Sequence, residues 1–154
     1  MDKKELKQIT TKIYEEYGFC KKGRYYYLDL EDVLICSGFA SIYGTTYLAY
    51  NFSVKAVHSE EERKPNNMFD GYDSMELKIH FDKTAKGHKS FEICFEEWDQ
   101  EYDVKRLREL LHEYFDPYKT DSLNHIRRLN KEVGYVDYND IIPAKTKARQ
   151  YLGI

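Results

Sequence analysis

The chain has little of what usually announces a chemistry. Its 154 residues contain three cysteines and three prolines. Cys20, Cys36 and Cys94 are far apart, odd in number and form no CxxC pair. That argues against a disulfide framework and against paired-thiolate zinc motifs, and fits free thiols in a reducing compartment. No apolar run approaches the length of a membrane-spanning helix, and residues 1–19 are charged and amphipathic where a signal peptide would carry an apolar core. The expectation is a cytoplasmic protein with no membrane partner. Net charge is −3 and the isoelectric point about 6.0, so no overall basic field points to nucleic acid. HExxH, GxSxG and glycine-rich phosphate loops are all missing. Nothing nominates a catalytic residue, and the expectation is a non-enzyme without cofactor or metal.

What is present suits one α+β domain over residues 1–154, with 42% hydrophobic and 33% charged residues. Asp2 can cap a first helix whose Leu6, Ile9, Ile13, Tyr14 and Tyr17 recur at helical spacing, and Gly18 ends it. Residues 19–28 read as a strand. Residues 33–39 read as a second, apolar on both faces and so covered on both sides. In residues 46–57 Leu48, Tyr50, Phe52, Val54 and Ala56 form one face of a long, half-exposed strand. The charged segment 58–73 reads as a loop. Alternation around Leu77 and Ile79, and again around Phe91 and Ile93, predicts two more strands joined by a turn at Gly87.

The period then becomes helical. Val104, Leu107, Leu110, Leu111, Tyr114 and Phe115 line a helix that Asp116-Pro117 should terminate. Thr120 or Asp121 caps another, and a short one follows Pro143 with Ala144, Ala148, Tyr151 and Leu152 inward. The predicted architecture is an N-terminal helix, a five-strand antiparallel meander, and three C-terminal helices packed on the sheet.

Two features stand out. The first is tyrosine, fifteen in all, with Tyr25, Tyr26 and Tyr27 consecutive. Half-buried strands use tyrosine because its ring packs while its hydroxyl reaches water. Packing is therefore the main expectation, with Tyr26 and Tyr47 as the rings that face outward. With Arg24 beside Tyr26 and Lys55 beside Tyr47, and Lys21 and Lys22 nearby, these residues offer a weak stacking platform for single-stranded nucleic acid or a nucleotide.

The second is charge layering. Between residues 92 and 116 nine acidic residues face three basic ones, a balance of −6, densest in "EEWDQEYD". The first 24 residues carry seven basic against four acidic, a balance of +3. Acids also favour a helix N-terminus, which is the plainer reading of "DQEYD". The functional reading is a docking surface for a basic protein, with Glu96, Glu97, Asp99, Glu101 and Asp103 as charges and Trp98 and Tyr102 as anchors. A third reading places a metal on the polar face shared by His80, Asp82, Glu92 and Cys94, with His88 in the turn; no paired-ligand spacing supports it.

The segments "YGFCKKGRYYYLDLEDVLICSGFAS" and "GTTYLAYNFSVKA" resemble the opening of a bacterial family catalogued as domain of unknown function 4304. The resemblance rests on Gly18, Phe19, Lys21, Lys22, Gly23, Tyr25, Tyr26, Tyr27, Tyr47 and Asn51, about the first third of the chain. It implies a small bacterial cytoplasmic protein and brings no catalytic residues. Some small bacterial domains of this shape are immunity proteins that cover a toxin, which makes a basic toxin domain the partner to expect.

Overall fold

The computed structural model describes residues 2–42, 44–59, 77–79, 81–82, 89–90, 98–133 and 143–154. Helix α1 (Lys3–Tyr17) opens on a capping box: Asp2 accepts from the Glu5 amide at 2.8 Å, and Glu5 accepts from the Asp2 amide at 3.1 Å. It ends at Gly18, and its Leu6, Ile13 and Tyr14 are buried.

Residues 19–28 do not form one strand. They fold into a hairpin, β1 (Cys20–Lys22) against β2 (Tyr25–Asp29), with Lys22 opposite Tyr25. The reason is Gly23, whose φ of +62° turns the chain in the left-handed region that side chains resist. β3 (Val33–Ile42) pairs along its whole length with β4 (Thr45–Val54), from Val33 opposite Val54 to Ile42 opposite Thr45. β5 (Leu77–Lys78) adds a short edge, giving an antiparallel sheet in the order β1-β2-β3-β4-β5. β6 (Phe81–Asp82) and β7 (Lys89–Ser90) pair separately.

The predicted α+β class and meander therefore stand, but the strands differ. The expected first strand is two, and the expected fourth breaks between Leu77–Lys78 and Phe81–Asp82. The expected fifth strand, residues 91–95, and most of the expected loop 58–73 lie outside the described residues.

One sheet face carries the main core. Tyr26, Leu28, Val33, Ile35, Leu48, Tyr50, Phe52 and Val54 meet apolar residues of α1 and of the C-terminal helices α2 (Tyr102–Val133) and α3 (Pro143–Leu152). Tyr25, Cys36, Ala40 and Ala49 form a second buried cluster, with Tyr27 against it. β3 is thus buried on both faces, as its sequence predicts. β4 is not half-exposed: Asn51 and Ser53, expected at the surface, are about 2% exposed. Residues Lys55–Val57 leave the strand as a 3₁₀ turn and leave Ala56 exposed.

The C-terminal helices depart most from expectation. Pro117 lies inside α2 instead of ending it. Proline removes one backbone hydrogen bond. Here Phe115 and Tyr118 flank it, both essentially inaccessible, and burial of two large rings outweighs that loss. The break comes at Asp121, whose backbone is extended (φ −158°, ψ 88°). Asp121 then caps the second arm, accepting from the Asn124 amide at 3.2 Å, as its sequence position predicts. Ser122 gives its hydroxyl to the Tyr118 carbonyl, the acceptor its own amide would serve in an unbroken helix. Asp121→Ala should cost about 1 kcal/mol, read as a lower urea midpoint at unchanged slope. α2 thus holds the first two of the predicted C-terminal helices, separated at Asp121 and not at Pro117, and α3 is the third. In α3 Ala148 and Leu152 face inward, but Tyr151, predicted inward, is 50% exposed.

Candidate functional site

The predicted acidic surface divides on inspection. Trp98 is 6% and Asp103 2% exposed, so neither presents itself to a partner as predicted. Asp99 and Asp103 work on the helix itself. Asp99 accepts from the Glu101 and Tyr102 amides, each at 2.8 Å, and Asp103 accepts from the Asp99 amide at 2.8 Å. This reciprocal cap anchors the start of α2 and accounts for two of the acids by local structure. Glu101 is exposed, and Tyr102 at 52% is the most exposed large hydrophobic side chain among the described residues. Glu96 and Glu97 lie outside the described residues. Beside this helix start, a shallow cleft is lined by Glu5, Gln8, Ile9, Trp98 and Gln100.

The predicted stacking platform is not assembled. Tyr26 does not face outward: it is 2% exposed, stacked on Tyr14 at 4.4 Å, with its hydroxyl 2.7 Å from Thr11 Oγ1. Its position opposite Ser37 on β3 puts it on the helix-covered face, which alternation alone does not identify. Tyr47 is half-buried and sits opposite Ala40. Lys55 lies at the far end of the sheet, next to the Val33–Val54 pair, and forms an ion pair with Asp29. Arg24 is exposed at the β1–β2 turn, its guanidinium 5.4 Å from the Tyr25 ring centroid, and Lys21 and Lys22 are exposed on β1.

Of the suggested metal ligands, His80, His88, Glu92 and Cys94 lie outside the described residues, and Asp82 belongs to β6. Among the described residues no group of three or more His, Cys, Asp or Glu side chains could hold a metal. Cys20 is exposed and Cys36 buried, both as free thiols. No described helix is long and apolar enough to cross a membrane.

A polar cluster joins α1 to α2. The Tyr17 hydroxyl donates to Asp116 at 2.6 Å, and His112 Nδ1 lies 3.0 Å from the same carboxylate. The Lys119 ammonium lies 3.9 Å from the Tyr17 ring centroid. Asp116 is held below the usual carboxylate range, first by Tyr17 and then by His112. The arrangement superficially resembles a proton relay, yet it is open to solvent. It ties two helices together across 99 residues of chain.

One site was only partly visible in the sequence. Lys3 and Lys7 on α1 converge with Lys21 on β1 and Arg24 in the β1–β2 turn around a cleft whose wall includes Tyr25, Tyr26 and Phe39. Lys4 and Gln8 extend it along the helix. Its only sequence signal was the surplus of basic residues in the first 24; their convergence requires the hairpin to fold back beside α1.

No protein-family model, curated protein or solved structure matches this chain.

Proposed function

We propose that the chain is a non-catalytic protein-binding module that docks a basic partner at the start of α2, in the manner of an immunity protein covering a toxin. The observation that carries this reading is Tyr102, half exposed and flanked by Glu101 and Asp99 on a helix start held rigid by its reciprocal cap. An aromatic ring beside acidic groups on a fixed backbone gives a partner apolar area and charge complementarity at small entropic cost.

Glu101→Lys combined with Tyr102→Ala tests it, because neither side chain takes part in the cap, whereas reversing Asp99 would damage the helix. In a pull-down from the source organism, a partner held by the wild-type protein should be lost or bound at least tenfold more weakly by the double variant. Equal retention of that partner would remove this surface from consideration.

A further inference from the structure

The lysines of α1 stand where local energetics disfavour them. Lys3 and Lys4 occupy its first turn, where the helix dipole opposes cations. Lys7 follows Lys3 by four residues and Lys4 by three, spacings at which like charges repel. The helix end is itself closed by the Asp2–Glu5 capping box, so an anion would be held by side chains and not by free amides. Lys21 adds a further positive charge from β1, and no carboxylate lines the cleft. Among the described residues Lys4, Lys7 and Lys21 form no ion pair.

The cleft has two parts. An open part of about 570 Å³ along α1 adjoins a more enclosed part of about 490 Å³; both are lined by Lys3, Lys7, Thr11 and Lys21, and the second also by Tyr25, Phe39, Ala40 and Thr46. Thr11 and the Tyr26 hydroxyl give it a polar floor. Arg24 is held at the rim by Tyr25, and Tyr25 in turn lies against Gly38: a Cβ there would meet its ring at 3.0 Å and the Arg24 carbonyl at 3.4 Å.

We propose that this cleft binds a nucleotide carrying at least two phosphates. Lys7, Lys21 and Arg24 meet the phosphates, and the base enters the more enclosed part beside Phe39. The more enclosed part, at about 490 Å³, is within the size range of small-ligand sites, roughly 300–1,000 Å³. A single strand of nucleic acid fits less well, because successive bases need exposed rings, and Tyr26 is buried while Tyr25 lies beneath Arg24. The residues are distinct from those at the start of α2, so this proposal stands or falls separately from the docking surface.

Calorimetric titration at low salt with purine nucleoside triphosphates, inorganic tripolyphosphate and a short oligothymidylate tests it. A nucleoside triphosphate should bind more tightly than either of the others, and more weakly as salt rises. Lys7→Glu with Lys21→Glu should lower that affinity at least tenfold. The same variant should melt no lower than wild type, since it relieves repulsion on a solvent-facing surface. Gly38→Val, which displaces Tyr25 and with it Arg24, should also weaken binding. Absence of nucleotide binding, equal affinity in the lysine variant, or tighter binding of tripolyphosphate or of the oligonucleotide would each overturn the assignment.

Discussion

Phe115→Ala should destabilise the protein by about 3–5 kcal/mol, the largest effect expected of any single substitution in the described core. Phe115 is completely buried at the centre of an aromatic cluster. Its ring centroid lies 5.0 Å from Tyr50 and 5.1 Å from Phe19, both edge-on, and 6.1 Å from Tyr17. Three elements therefore meet on one side chain, α1 through Tyr17, β4 through Tyr50 and α2 itself, together with Phe19 of the link from α1 to β1. Edge-to-face ring pairs add about 0.5–1.5 kcal/mol each beyond area burial. Truncation leaves a cavity that rigid β4 and a helix carrying Pro117 cannot readily close. Urea unfolding of the purified variant measures the loss. A change below about 1 kcal/mol would show that the ring is not the junction the structure makes it.

Above pH 10 the protein should lose stability steeply. Tyr14, Tyr50 and Tyr118 are each at most 2% exposed, and burial is the main cause that raises each phenol well above its ordinary value. The direction of the effect follows from proton binding. Near pH 10 the unfolded chain begins to release these protons while the folded protein keeps them, so stability complete below pH 10 is lost as pH rises beyond it. Each tyrosine contributes about 1.4 kcal/mol per pH unit, and three together roughly 4 kcal/mol per unit.

Unfolding midpoints between pH 8 and 11 give the slope. Tyr50→Phe with Tyr118→Phe removes a buried hydroxyl pair 3.3 Å apart, and with it the contributions of two of the three fully buried phenols, so the slope should become shallower. Removing both partners together avoids leaving one hydroxyl unsatisfied, so the variant should still fold at neutral pH. An unchanged slope in that variant would mean that these phenols do not link stability to alkaline pH.

Much of the fold was legible, and the misses have identifiable physical origins. Helix α1 could be read from its capping residue, its apolar period and Gly18 because all three are local. Asp121 was legible as a cap for the same reason. Pro117 misled because a local rule met a tertiary one: the proline weakens the helix, and the burial of Phe115 and Tyr118 holds it. The hairpin at Gly23 is not legible locally, because aromatic and basic residues on either side mask a turn of only two residues.

The candidate sites divide along the same line. Glu101 and Tyr102 could be singled out by composition, and the structure leaves both exposed. Trp98 and Asp103 have the same compositional signal, but one is packed into the core and the other bonded to the Asp99 amide. Neither fate is written in residue type.

The order of residues by itself determined the α+β class, the antiparallel meander, the core face of β4 and the caps of α1 and of the second arm of α2. Hydrophobic period and capping chemistry act between residues a few positions apart, so they are written in the order of residues. Only the tertiary structure decided which face of β2 would be covered, and so that Tyr26 packs on Tyr14 instead of meeting solvent. It alone carried α2 through Pro117 and gathered Lys3, Lys7, Lys21 and Arg24 around one cleft. Those outcomes depend on burial and on charges brought together across a hairpin, and such energies exist only once distant segments touch.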